Sequence, residues 1–349
     1  MKRFPLFLFI FPLIVYGQTN ILNAKSPEEI GSSSVYDEMY APQNPLDYGF
    51  IDEKDVLFSK TIWEEINLDE RVNFPLYYPI DTLVVGNERR PLIHYLLTAA
   101  MQSDYPIYKK DNFKDLLSVE DLDKKQRYRI IRAGTDENIG LERIINESGN
   151  KEDFLVQRGI DVGEYASMDE SLLNDDDYNE YESRMEELIF ENNLLSEDEY
   201  SEEVFSYADV VKYRIKGVWY FDKRQSDLRY RPIAIAPVVV TPRSKAMMKE
   251  FSDPNMKPDY VELFWIFYPD ARYTLHNAKA FNNNNTSKPV TFDHLINSRR
   301  FSGYIYKQDN VYQDRSVKDY ISDNALMQLL ESQRIKEKIR NLEQDMWSY

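Results

Sequence analysis

The side chains able to do acid–base or metal chemistry are few in this sequence. Its only imidazoles are His94, His276 and His294, and it has no cysteine. Without Cys there is no thiol nucleophile, no disulfide and no Cys-ligated zinc or iron–sulfur cluster. His94 falls in an apolar, helix-like stretch beside Tyr95 and reads as structural. His276 and His294 flank an Asn-rich stretch, with no carboxylate at a ligand spacing and no HExxH helix to present two imidazoles on one face. Ser148 and Lys151 in SGNK match the SxxK pattern of β-lactamase-type nucleophiles, but two fixed positions in four recur by chance in many chains. Asp175, Asp177, Asn179, Ser183 and Glu186 have the spacing of calcium-loop ligands. The position that needs Gly for the sharp turn is Glu180, however, and a usually apolar position is Glu182. Carboxylate pairs for glycoside hydrolysis need a separation that only a fold can set. No catalytic, metal or cofactor site is expected.

Composition narrows the classes further. The 349 residues hold 43 Lys+Arg against 60 Asp+Glu, a net charge of −17. That sign opposes the phosphate attraction behind non-specific nucleic-acid binding, so no nucleic-acid partner is expected. Only 11 residues are Gly, and neither GxGxxG nor GxxxxGK[ST] occurs to cradle a nucleotide. Aromatics, 26 Tyr and 18 Phe among them, are too abundant for a disordered chain.

The elements follow from spacing. Lys2 and Arg3, an uncharged stretch from Phe4 to Tyr16, and Val15 and Gly17 at the cleavage positions make residues 1–17 a signal peptide. No later run is long and apolar enough to span a bilayer. Residues 18–48, rich in Ser and Pro, read as an extended arm. From Gly49, Val56, Ile62, Trp63 and Ile66 predict a helix of about three turns. A second helix follows in RRPLIHYLLTAAMQSD and a short third element in KDLLSVEDL. Between Asp161 and Glu203 stand 17 acids and one base, Arg184. This stretch reads as a solvated acidic insertion, 161–209, with Met185, Leu188, Ile189 and Leu194 forming one amphipathic helix.

From residue 210 the period drops to two. Tyr213, Ile215, Trp219 and Phe221 alternate with Lys212, Arg214, Lys216 and Tyr220 as in a half-buried strand. LRYRPIAIAPVVV returns as a second strand in which Pro232 and Pro237 favour an edge or a bulge. YVELFWIFYP reads as a central strand covered on both faces, and GYIYK as another strand. Asn282 to Asn285 mark an exposed loop, and Thr291 is placed to cap a short helix. Leu326, Leu330, Ile335, Ile339, Leu342 and Met346 give a long terminal helix, with charge pairs Glu331–Arg334 and Glu337–Arg340. The fold class is α+β: a helical portion over 49–160, and over 210–349 a mainly antiparallel twisted sheet closed by the C-terminal helix. The aromatic clusters and that helix supply candidate contact residues: Trp219, Phe221, Trp265, Phe267, Tyr304, Tyr306, Ile335, Ile339, Leu342 and Met346.

Taken in order, DVLFSKTIWEEINLDERVNFPLYYPI, YRIKGVWYFDKRQSDLRYRPIAIAPV, ELFWIFYPDARYTLHNAKAFNNNN, TFDHLINSRRFSGYIYKQDNVYQDR and LLESQRIKEKIRNLEQDMWSY resemble the GldN/PorN family. The likeness covers 49 to about 122 and 210 to the C-terminus; the acidic stretch 161–203 has no evident counterpart. The resemblance implies a non-catalytic periplasmic ring subunit of the type IX secretion and gliding machinery. It implies assembly with an outer-membrane lipoprotein of the GldK/PorK type, which would hold it at that membrane, and contact with the periplasmic part of a GldM/PorM-type motor protein. The rival readings are an exported carboxylate-dependent hydrolase and a soluble periplasmic ligand-binding protein.

Overall fold

The computed structural model describes residues 44–82, 89–132, 140–163, 175–251, 258–282, 290–322 and 324–347. The expected signal peptide, the arm up to residue 43 and Asn283 to Asn285 lie outside them. In chain order come β1 (Val56–Asn67), α1 (Phe74–Tyr77), α2 (Leu92–Met101), β2 (Ile107–Tyr108), α3 (Val119–Gln126) and β3 (Arg127–Ile131). Next are α4 (Gly140–Ser148), α5 (Lys151–Gln157), α6 (Asp175–Glu191), β4 (Tyr200–Val204), β5 (Val210–Asp222), β6 (Asp227–Val240) and α7 (Pro242–Phe251). The chain ends with β7 (Tyr260–Glu262), β8 (Trp265–Phe267), α8 (Tyr268–Asn277), β9 (Lys279–Ala280), β10 (Val290–Thr291), α9 (Phe292–Asn297), β11 (Tyr304–Gln308), α10 (Val317–Tyr320) and α11 (Ala325–Trp347). The α+β class holds, with a largely antiparallel sheet and a long C-terminal helix. Among the described residues no helix is long and apolar enough to cross a membrane.

Two units divide these elements. One takes in Val210–Val238, Glu262 onwards and the chain up to Leu117; the other takes in Ser118–Asp209 and Val239–Val261. The described strands of the main sheet run in the order β11-β1-β5-β6-β8-β2, with β7 paired to β6 off that path.

The segment after Gly49 corrects the helical expectation, since Val56 to Asn67 form strand β1. Ile62, Glu64 and Ile66 face one side of the sheet and Trp63 and Glu65 the other, and all five are buried. A strand covered on both faces loses the apolar–polar alternation that would identify it. Ile62, Trp63 and Ile66 then imitate one face of a helix. The β-branched Val56, Thr61, Ile62 and Ile66 favour the extended form.

Strand β5 keeps its expected alternation from Lys212 to Gly217 and loses it beyond, where Trp219 is half-buried and Tyr220, Phe221 and Asp222 are all buried; β6 is not an edge, because it lies between β5 and β8. Its pairing with β8 involves Ala234 and Ile235, which lie between the two prolines. Pro237 contributes its carbonyl instead, accepting from the Leu263 N–H at 3.0 Å. The apolar run from Tyr260 is not one strand either. It is divided between β7 and β8, and Pro269 starts α8 at once, its fixed φ suiting a first helical turn. Thr291 caps α9, its hydroxyl accepting from the His294 N–H at 3.2 Å.

In the second unit, Tyr181, Met185, Leu188 and Ile189 of α6 pack with Ile131, Ile144, Phe154, Leu155 and Val162 into one buried cluster, against which Leu194 also packs. The acidic stretch therefore supplies part of a core. Cations from earlier in the same unit meet its acids: Arg143 Nε lies 2.5 Å from Glu199, Arg129 3.2 Å from Glu202, and Lys151 bridges Glu182 and Glu186.

Candidate functional site

The densest polar chemistry lies on β1, where consecutive carboxylates are buried on opposite faces of the sheet. Successive strand residues point to opposite sides, and residues opposite one another on paired strands share a side. The β1–β5 register sets Trp63 against Lys216, Glu64 against Ile215, and Glu65 against Arg214. On the β11 side Glu65 faces Tyr304 and Trp63 faces Lys307, with a bulge between Trp63 and Glu64. The Lys-x-Arg-x-Lys alternation of β5 therefore falls on the face that carries Trp63 and Glu65.

Glu65 accepts from Lys212 Nζ at 2.8 Å, from Arg214 Nε at 2.8 Å and Nη2 at 2.6 Å, and from the Tyr304 hydroxyl. Arg214 continues to Glu262, whose other oxygen accepts from the Trp265 indole at 2.6 Å. Burial alone would push the Glu65 carboxyl up, but Lys212, Tyr304 and Arg214 together hold it below the usual range. Burial likewise works against the Arg214 cation, and Glu65 and Glu262 outweigh it. Alongside, Asp111 accepts from Trp63 Nε1 at 2.8 Å and from Lys216 Nζ at 3.2 Å. The Trp63 ring has two ammonium groups near it, Lys216 at 4.9 Å and Lys307 at 4.3 Å from the centroid.

The other face belongs to Glu64, which is 0% exposed. It receives the Arg299 guanidinium through two bonds of 2.7 and 2.8 Å. That guanidinium lies 4.2 Å from the Tyr230 centroid, 4.9 Å from Trp219 and 5.2 Å from Phe301. Ile335 and Ile339 of α11 pack on this face with Ile62 and Ile305. The helix also satisfies the edge strand: the Ile305 N–H donates to Ser332 Oγ at 2.7 Å, and Lys336 donates to the Gly303 carbonyl. An edge strand whose backbone groups are taken is protected from pairing with another chain.

Of the ten candidate contact residues, Phe221, Trp265, Ile335 and Ile339 are buried within the chain, and Trp219, Phe267, Tyr304, Tyr306, Leu342 and Met346 are half-buried. Tyr304 and Tyr306 share the Glu65 face: Tyr306 packs with Trp63 and Trp265, and lies under Arg214. Exposed apolar side chains lie elsewhere, among them Leu326, Met327, Leu329 and Leu330 on the first turns of α11 and Val311 and Tyr312 before α10. The SxxK pair does not converge, because Ser148 donates to Gln157 while Lys151 serves the acids of α6. The calcium-like spacing falls along helix α6 and not on a loop. Among the described residues no group of three or more His, Cys, Asp or Glu is placed to hold a metal. Glu64, Glu65, Arg214 and Arg299 escaped sequence reasoning; the signal present was two adjacent acids inside an apolar run, read against alternating cations elsewhere.

A family profile described as gliding motility associated protein GldN matches residues 51–348, a span that includes the acidic stretch. A search of curated proteins returned no match.

Proposed function

Because the chain belongs to the GldN family of gliding-motility-associated proteins, we propose that it is a non-catalytic structural subunit of a ring in the type IX secretion and gliding machinery. In this reading it is exported to the periplasm, where copies assemble with an outer-membrane lipoprotein of the GldK/PorK type. The ring then meets the periplasmic domain of a GldM/PorM-type motor protein. The family match over 51–348 carries the reading. Export is supported by the signal-peptide character of residues 1–17.

The non-catalytic role is supported by how the buried charges are used. Arg299 closes on Glu64 on one face of the sheet and Arg214 on Glu65 on the other, and Glu65 ties β1 to β5 through Arg214 and to β11 through Tyr304. A subunit that transmits load needs such cross-strand ties. Exposed Leu326, Met327, Leu329 and Leu330 form an apolar cluster of the sort that marks contact surfaces.

The test is to isolate the envelope complex through a tag on this chain. Large annular particles containing the chain and a lipoprotein are expected. A stable monomer that turns over a substrate, with activity abolished by single acid-to-amide changes, would refute the proposal.

A further inference from the structure

The sheet face that carries Trp63 and Glu65 changes character along β5. Lys212, Arg214 and Lys216 give way to Val218 and Tyr220, which the pleat keeps on the same side. The β1–β5 register sets Ser59 opposite Tyr220. Ile51, Val56 and Ile233 join them around a groove of about 500 Å³. Its four aliphatic side chains, Ile51, Val56, Val218 and Ile233, are each only half-buried. The groove therefore keeps apolar surface in contact with water, which a ligand gains by covering.

One cation stands in its wall. Arg231 is half-buried, and among the described residues it forms no ion pair with a carboxylate. Arg224, Arg272 and Arg299, by contrast, close on Asp55, Asp293 and Glu64. Arg231 donates to Gly49 O at 3.1 Å, and its guanidinium lies 4.7 Å from the Tyr48 ring centroid and 5.5 Å from that of Tyr220. These contacts fix the group without neutralising it, and an anionic acceptor makes the stronger hydrogen bond to such a donor. The Tyr220 and Ser59 hydroxyls belong to the same lining and have no protein partner among the described residues. Glu53, exposed and also without an ion pair among those residues, lies on the groove as well. It limits what enters, because a second negative charge on the ligand meets a like charge there.

We propose that this groove binds a monoanionic amphiphile, an organic acid with an aliphatic body. Its carboxylate pairs with Arg231 and its apolar part lies on Val218 and Ile233. The volume is that of a small-ligand site, and an apolar lining with a few polar groups is the usual make-up of one. The groove is built within a single chain, so the inference stands apart from the assembly reading.

Titration calorimetry of the purified full chain with octanoate should show saturable binding. Octan-1-ol, which lacks the charge, should bind about tenfold more weakly or worse, as expected for the loss of one charge-assisted hydrogen bond. Suberate, of equal chain length with a second carboxylate, should also bind more weakly. Arg231→Gln should weaken octanoate by about tenfold. Since Arg231 also holds Gly49, Ser59→Phe supplies a second variant that leaves the cation in place and fills the groove. It should abolish binding while the urea midpoint stays at the parental value. No saturable octanoate binding to the parent would overturn the site, and so would equal affinity for octanoate and octan-1-ol, or parental affinity in either variant. Equal affinity for suberate would overturn the restriction to a single charge.

Discussion

Glu64 and Glu65 are chain neighbours that answer to different cations on opposite faces of one sheet. The consequences of removing them differ accordingly. Glu64→Ala leaves the Arg299 guanidinium among Trp219, Tyr230 and Phe301 without its carboxylate, and breaking a buried pair in this way costs about 3 kcal/mol. Urea unfolding should register that loss. Most of it should return in the double variant Glu64→Leu with Arg299→Met, because the penalty lies in the stranded charge more than in the missing bond. Equal losses from the single and double variants would contradict this account. Glu65 governs the acid limb of stability. Its carboxyl and that of Asp111 are held below their ordinary values of 4.5 and 3.8 in the folded chain. The unfolded chain therefore takes up protons first as the pH falls, so the contribution is complete above about 4.5 and disappears as the pH drops through the lower folded values. Glu65→Gln should be less stable than the parent at pH 7, and the gap between their unfolding midpoints should narrow steadily below that range. A gap independent of pH would show that the carboxylate's charge is not what matters.

At the scale of elements, α11 is both a lid on the Glu64 face and a guard for the edge strand. Ile339→Asp places a charge among Ile62, Ile305 and Ile335, a site only 5% exposed. It should cost more than about 3 kcal/mol and lower the soluble yield; a variant of parental stability and yield would mean that the helix does not pack there. This helix was legible in the sequence because its apolar positions recur every three to four residues while its outer face is charged. Strand β5 was legible for the matching reason, one face of alternating Lys and Arg against one of Tyr and Ile. Strand β1 was not, because burial on both sides erased the period, and its two acids looked like solvent-facing residues of a helix. The polar site shared that fate. Glu65 and Arg214 are 149 residues apart, and only strand register brings them together. Even Gly217, a residue scarce in this chain, has its reason in three dimensions: a Cβ there would lie 2.2 Å from the Tyr230 hydroxyl and 2.3 Å from its ring.

For the molecule as a whole, the charge map and the unit map coincide. The 17 acids of residues 161–203 belong to the unit whose core holds α6, and cations from 124 to 151 reach across to them. Lys124 lies 3.0 Å from Glu187 on the exposed side, where screening leaves such a pair little weight. Lys151 is different. Its side chain is 14% exposed and serves Glu182 and Glu186, one helical turn apart. Burial disfavours its charge, and Glu186 and Glu182 more than compensate, holding the ammonium above its ordinary range. The sign follows: a raised lysine stabilises the folded unit at all pH values below its unfolded value and loses that contribution only as the pH climbs through the folded one. Lys151→Met keeps the packing stem but leaves two carboxylates facing each other, and hydrogen bonds between charged groups of this type are worth roughly 2 kcal/mol. Since each unit has its own buried cluster, the loss should be local. Native-state hydrogen exchange should show faster exchange at Met185 and Ile189 in α6, with Ile215 and Ile235 of the main sheet unchanged. Equal acceleration at all four sites would mean that the two cores open as one, and the acidic stretch would then have to be counted as part of a single cooperative body.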